Sequence, residues 1–71
     1  MMPLLLANDS RPHTIRRIGG TPEIRKHLEN LGFVAGGEVT VVSELAGNLI
    51  VNVKESRVGI NRMLAQKVFV D

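Results

Sequence analysis

The sequence predicts a small, mainly β domain in which one short amphipathic helix packs on a barrel of short strands. Two observations lead to this fold class. Short runs of Val, Ile and Leu recur at close spacing and are separated by turn residues, which is typical of small barrels. One segment, residues 21–32, instead has helical periodicity and carries signals for both helix ends. With 71 residues and no cysteine, the chain is predicted to form one domain, residues 1–71, without disulfides or thiolate metal sites.

The helix is predicted over residues 22–31. Thr21 is a suitable N-cap, and Pro22 suits the first helical position. Gly32 stands where a left-handed residue ends many helices, so we expect it to have positive φ. Three apolar residues recur at helical spacing and should face the core, namely Ile24, Leu28 and Leu31.

The other elements are predicted as strands and turns. In chain order, strands are expected over residues 13–18, 38–43, 49–54, 58–60 and 68–70. Turns are expected at residues 45–48 and 55–57, and a helical turn is expected at residues 61–66. The apolar residues Leu4 to Leu6 are predicted either as a first edge strand or as a cover over the end of the barrel.

Two of these predicted strands differ in how regularly they alternate. In residues 49–54, the apolar positions Leu49, Val51 and Val53 fall on one face. In residues 13–18, the alternation is imperfect because Arg16 and Arg17 are consecutive. The two aromatic residues of the chain, Phe33 and Phe69, are both expected in the core.

The sequence does not favour catalysis. Its serines lie in or beside turns with no base at a matching spacing, and its carboxylates are scattered. The Gly19-Gly20-Thr21 loop precedes a helix, but Pro22 removes one N–H donor and Glu23 adds a negative charge where a phosphate would bind. A domain this small also seldom provides the ~300 Å³ pocket that a ligand needs. We therefore predict that the protein is not an enzyme and has no cofactor.

One pair of residues could bind a metal ion. Glu23 and His27 are four residues apart on the predicted helix, so both could reach one ion. Two ligands make a weak site, and the alternative for His27 is an exposed helix histidine. The prediction is that no metal site is present, although a metal-binding module is kept as an alternative.

A basic cluster is the main feature of the charge distribution, in a chain whose net charge is +2. Its members are Arg11, Arg16, Arg17, Arg25 and Lys26. The cluster is either ordinary solvated surface or a contact for a partner. Nucleic acid is an alternative partner, but it usually demands more charge, and single strands usually need stacking aromatics. The candidate partner-binding residues are Arg16, Arg17, Arg25 and Lys26, together with Leu45 and Leu49 beside a turn.

Leu45 and Leu49 have an alternative placement, because both could fold into the core.

The apolar run from Leu4 to Ala7 is much shorter than the ~18 residues that span a membrane. We therefore predict a cytoplasmic protein that is peripheral to the membrane at most.

Two motifs resemble the FeoA family of small cytoplasmic proteins of bacterial ferrous iron transport, over about residues 13–70. The first is Leu28-x-x-Leu31-Gly32-Phe33-x-x-Gly36, followed by Val39 and Val41. The second is Arg62-x-x-Ala65-x-x-Val68-x-Val70. The resemblance implies an SH3-like barrel whose partner is the FeoB membrane transporter with its cytoplasmic GTPase domain. The same module is found as a C-terminal domain of iron-dependent repressors, which implies a regulatory module as an alternative.

The chain departs from the family pattern at two places. Ala35 stands where the family usually has proline, and residues 10–12 replace the usual Pro-Gly entry into the first strand. Neither departure affects the predicted core, and no active-site residue is carried over from the family.

Overall fold

The fold is mainly β, as predicted. A computed structural model describes residues 1–7 and 9–71 of the chain. The elements, in chain order, are β1 (Met2–Pro3), a 3₁₀ helix (Leu4–Leu6), β2 (His13–Ile18), α1 (Pro22–Asn30), β3 (Glu38–Leu45), β4 (Asn48–Val53), β5 (Ser56–Asn61), α2 (Arg62–Ala65) and β6 (Val68–Val70).

The strands form one antiparallel sheet in the order β1-β6-β2-β3-β4-β5. The last strand in the sequence, β6, therefore lies between the first two, with Met2 opposite Val70 on one side and Ile15 opposite Val70 on the other. The pairings of the described residues end at β1 and β5, so the sheet is not closed.

The core is built from aliphatic side chains and one phenylalanine. Its fully buried large members are Phe33, Leu4, Ile15, Leu28, Val39, Val51, Val53, Val68 and Val70. The predicted inner face of α1 is confirmed, because Leu28 is fully buried while Ile24 and Leu31 pack against the core from its edge. The predicted apolar face of β4 is confirmed as well, since Leu49, Val51 and Val53 are all buried.

Both ends of α1 are formed by the residues predicted for them. The Thr21 Oγ1 accepts a hydrogen bond from the Ile24 N–H at 3.2 Å. At the other end, Gly32 has a φ of 109°, which confirms the predicted positive φ. The Phe33 N–H donates to the Leu28 carbonyl at 3.0 Å and the Gly32 N–H to the Glu29 carbonyl at 2.9 Å, the pattern of a Schellman motif. The helix ends at Asn30, one residue before the predicted end, and Leu31 is its C-cap.

The N-terminal segment and one hairpin turn differ from the prediction. Leu4 to Leu6 form a 3₁₀ helix against α2 and β6, so the edge-strand alternative is wrong for these residues, and the edge strand is β1 just before them. The turn predicted at residues 55–57 lies instead at residues 54–55, because Ser56 already pairs with Val53 in a two-residue hairpin.

The turn between β3 and β4 is a two-residue hairpin connection at Ala46 and Gly47. Both residues have positive φ, 53° and 81°, as a type I′ turn requires. The strand β3 reaches Leu45, further than the predicted end at residue 43, because Leu45 pairs with Asn48 directly across this turn. The predicted helical turn at 61–66 is confirmed, and the Asn61 Oδ1 caps it by accepting from the Leu64 N–H at 2.8 Å.

A candidate basic cleft between β2 and α1

A β-bulge in β2 brings consecutive arginines to one surface. Ile15 pairs with Val70 and Arg17 pairs with Phe69, so one extra residue is inserted between them. In a regular strand Arg16 and Arg17 would point to opposite faces, and one of them would enter the core. The bulge leaves both arginines exposed beside the buried Ile15. This explains the imperfect alternation that the sequence shows in this strand.

A cleft of about 490 Å³ lies between this bulge, α1 and the loop after α1. Arg16 and Arg17 line it from β2, and Arg25 and Glu29 line it from α1. The structure therefore brings together three of the four basic residues predicted as partner-binding. The cleft is larger than the size of the chain led us to expect.

The remaining residues that line the cleft are apolar. Ile18 comes from the end of β2, Val34 and Ala35 come from the loop, and the fully buried Phe33 lies beneath them. This loop is held against β2, because the Gly36 N–H donates to the Ile15 carbonyl and the Ile15 N–H donates to the Gly37 carbonyl, both at 2.8 Å. The backbone of the cleft is therefore formed before any ligand arrives.

The arginines of the cleft have different surroundings. The Arg16 Nε donates to the Asp71 Oδ2 at 2.6 Å, and this contact raises the pKa of Arg16 and lowers the pKa of Asp71. The Arg17 guanidinium lies 4.6 Å from the centre of the Phe69 ring, in a cation–π contact. Phe69 is only half buried, so the prediction that both phenylalanines belong to the core is wrong for Phe69. Arg25 shares a helix face with Glu29, four residues later.

The other basic residues lie outside the cleft. Lys26 is exposed on α1 but does not line the cleft. Arg11 lies near Asp9, with its Nη2 3.4 Å from the Asp9 Oδ2. The predicted basic cluster is therefore divided into three cleft arginines and two separate surface charges.

The two leucines proposed for partner contact do not form one patch. Leu45 is 68% exposed, whereas Leu49 is only 3% exposed and belongs to the core. The prediction that Leu49 contacts a partner is therefore wrong. The reason is the alternation of β4, which places Leu49 on the same inner face as Val51 and Val53.

His13 makes contacts that the sequence did not indicate. Its Nδ1 lies 2.6 Å from the Asp71 carbonyl oxygen, and its Nε2 lies 2.6 Å from the Asp9 Oδ1. Because both partners are acceptors, both ring nitrogens donate when the imidazole is protonated. The contact with Asp9 is the main reason that the pKa of His13 is raised, and it lowers the pKa of Asp9. Asp71 is remote from His13 in the sequence, so no local pattern could have revealed the contact between these two residues.

The described residues contain no group of three or more His, Asp or Glu side chains placed to hold a metal ion. His27 is exposed on α1, as the alternative for this residue predicted. In the cleft, Glu29 is the only carboxylate among the described lining residues, which include neither a hydroxyl nor an imidazole group. The arrangement of the cleft suits the binding of an anionic group better than acid–base chemistry.

Fold and site together define a small SH3-like β domain with a preformed basic cleft. The family model of the FeoA domain matches residues 2–71. The chain therefore belongs to the FeoA family, whose members are small proteins related to ferrous iron transport. Comparison with curated protein sequences gave no match.

Solved structures show the same fold. A crystal structure of an iron uptake regulatory protein (FeoA) is similar to this chain with a TM-score of 0.89 and 27% sequence identity, over 99% of this chain and 93% of that one. A manganese-dependent transcriptional repressor is similar with a TM-score of 0.85 and 22% identity, over 96% of this chain and 39% of the repressor. The structure of ScaR with bound Zn²⁺ is similar with a TM-score of 0.88 and 15% identity, over 100% of this chain and 36% of that one. The repressor and ScaR show the fold alone, and this chain spans little more than a third of their length.

The helices of the chain are short. Within residues 1–7 and 9–71, neither α1 nor α2 is long and apolar enough to cross a lipid bilayer.

Proposed function

We propose that this chain is a non-enzymatic accessory protein of ferrous iron uptake, which acts in the cytoplasm through contact with a FeoB-type membrane transporter. The observation that carries the proposal is the match of the FeoA domain over residues 2–71, almost the whole chain. The chemistry of the cleft supports a binding role, since its polar groups are three arginines and one carboxylate.

The exposed arginines support attraction of an acidic partner. Charges on the surface act mainly on the rate of association, and at physiological salt they are screened beyond ~8 Å. Arg16 and Arg17 are both exposed, so reversing their charge should leave the core unchanged.

The proposal predicts that a variant with Arg16→Glu and Arg17→Glu associates more slowly with the cytoplasmic portion of the transporter. Stopped-flow or biosensor kinetics at low and high salt would measure this, with circular dichroism to verify the fold. Arg57→Glu is the control, because Arg57 is exposed on β5 and does not line the cleft. An association rate that responds neither to salt nor to the double reversal would contradict the steering role.

The wider proposal is tested in cells. Deletion of the gene should reduce uptake of ferrous iron, and the wild-type chain should restore it. If uptake is unchanged and the purified chain does not bind the transporter, the proposed function is wrong. Tight binding to DNA with a steep salt dependence would instead support the nucleic-acid alternative.

A further inference from the structure

We propose that the cleft between β2 and α1 binds an acidic, partly apolar peptide segment of the protein partner. A carboxylate of that segment pairs with Arg17 and Arg25, and an adjacent apolar side chain packs on Ile18 and Val34. This inference rests on the proposed function, because it identifies which surface of the chain meets the partner and which chemistry that surface recognises.

Two arginines of the cleft are held in place before any ligand binds. The bulge in β2 turns Arg17 outwards, and the Phe69 ring holds its guanidinium at 4.6 Å. A guanidinium that is already positioned loses less conformational entropy when it binds a carboxylate. Arg25 approaches from α1, whose two ends are fixed by Thr21 and by the Schellman motif at Gly32. The two arginines therefore belong to separate rigid elements that face one cleft.

A carboxylate already occupies the edge of this surface. The Nε and the Nη2 of Arg16 lie 2.6 and 2.5 Å from one oxygen of Asp71, its Oδ2. An arginine of this surface therefore already binds a carboxylate through a charge-assisted hydrogen bond. The ion pairs of the described residues include none to Arg17 or Arg25, so these two remain to receive a carboxylate from outside.

The cleft also has an apolar part. Ile18 and Val34 are half buried and Ala35 is exposed, so apolar surface adjoins the two arginines. A bare anion such as phosphate would leave this surface uncovered. A peptide with alternating acidic and apolar side chains matches both halves of the cleft.

Nucleic acid fits the cleft less well. Of its three arginines, Arg16 is already paired with Asp71, which leaves two cations for a run of phosphates. Single-stranded nucleic acid also binds by stacking its bases on exposed aromatic rings. Phe33 is fully buried, and Arg17 lies over the ring of Phe69.

The inference is tested with a matched pair of variants on α1. Arg25→Gln and Lys26→Gln each remove one positive charge from neighbouring exposed positions, but only Arg25 lines the cleft. A biosensor measures how fast the cytoplasmic portion of the transporter dissociates from each of the two variants. We expect Arg25→Gln to raise the dissociation constant about tenfold or more, mainly through faster dissociation, since hydrogen bonds to charged groups are the stronger ones. Lys26→Gln should change the constant by less than about twofold, as a rim charge does.

A peptide probe tests the cleft without the transporter. The ¹⁵N-labelled chain is titrated with a synthetic peptide of alternating glutamate and leucine, and amide resonances are followed by NMR. The shifts should concentrate at Arg17, Ile18, Arg25, Val34 and Ala35. A peptide with glutamine in place of glutamate should bind about tenfold more weakly.

The outcomes separate the inference from the proposed function. If the transporter binds but Arg25→Gln and Lys26→Gln behave alike, the cleft assignment is wrong and the proposed function stands. If the peptide shifts the cleft resonances but the transporter does not bind, the proposed partner is wrong and the cleft assignment stands. Peptide shifts located elsewhere, or displacement of the peptide by a single-stranded oligonucleotide at physiological salt, would overturn the assignment to an acidic peptide.

Discussion

Strands β2 and β4 have the same length, six residues each, and lie on either side of β3, yet they serve different purposes. In β4 every second residue is buried, so one face of the strand belongs to the core. In β2 a single extra residue interrupts that alternation and turns Arg16 and Arg17 to the surface. Regular alternation places one face of β4 in the core, whereas one bulge leaves two consecutive side chains of β2 at the surface.

This difference leads to a general expectation. Substitutions around β4 and the helix that packs with it should change the free energy of unfolding. Substitutions around β2 should change binding, with smaller effects on stability.

The largest effect is expected for Leu28→Ala. Leu28 is fully buried in the cluster that contains Val51 and Val53 of β4. The substitution should cost about 2–5 kcal/mol, comparable with the ~3–5 kcal/mol that a core of this size supplies. Urea unfolding followed by circular dichroism should show a largely unfolded variant, while the exposed Lys26→Ala should unfold like the wild type. An unchanged transition for Leu28→Ala would show that the core does not depend on α1.

A smaller effect is expected for Gly32→Val at the end of α1. A Cβ at this position would meet Val53 and Lys54 of the β4 region no closer than 3.6 Å, so there is room for it. The φ of 109° is unfavourable for a β-branched residue, and the cost should be on the order of 1–2 kcal/mol from backbone strain alone. Gly32→Asn should cost less, because asparagine tolerates positive φ. Thermal unfolding of the two variants that gives equal losses would show that strain is not the cause.

The turn that leads into β4 should be open to improvement. Ala46 has a φ of 53°, which strains an alanine, whereas asparagine is favoured before glycine in a type I′ turn. Ala46→Asn should therefore raise the free energy of unfolding by about 0.5–1 kcal/mol. Ala46→Val should lower it, because a β-branched residue is poorly suited to this conformation. Stabilisation by both substitutions would contradict the turn assignment.

The smallest effect on stability is expected at the start of β2, where it depends on pH. The pKa of His13 is raised above 6.5 in the folded chain, so its contribution to stability is fully present below pH 6.5 and is lost as the pH rises through the raised value. The pKa values of Asp9 and Asp71 are lowered below 3.8, so their contributions are lost only as the pH falls through the lowered values.

Urea unfolding at pH values on both sides of 6.5 would measure this contribution. The free energy of unfolding should decline on the alkaline side in the wild type, and the decline should be weaker in His13→Gln. Equal pH dependence in the two chains would show that the contacts of His13 with Asp9 and Asp71 do not stabilise the fold.

Much of the fold could be predicted because its signals are local. Thr21, Pro22 and Gly32 define α1 through backbone preferences of one or two residues, and they predicted its start and its C-terminal glycine correctly. The alternation of Leu49, Val51 and Val53 likewise follows from the two-residue period of a strand. These patterns need no knowledge of distant contacts.

The candidate site could be predicted only in part, because its geometry depends on partners far away in the sequence. Arg16, Arg17 and Arg25 were identified by charge, but the bulge that groups them depends on pairing with β6. The contact of Arg17 with Phe69 and the contacts of His13 with Asp71 have the same origin. The sequence alone does not decide whether Leu45 and Leu49 are exposed or buried, since the face of a strand that points inwards beside a turn depends on the register of the strand.

The position of β6 in the sheet has a consequence for the order in which the molecule is completed. The part from β3 to β5 joins neighbouring strands through two-residue turns, so a growing chain can form it from local contacts. By contrast, β1 and residues 15–18 of β2 pair with Val68 to Val70, so these pairings form only after β6 is available. Phe69 belongs to the same strand, and Arg17 has no ring to lie on until that strand has docked. The basic cleft is therefore completed only after β6 has docked, and a partner that recognises it would engage only chains whose sheet is already assembled.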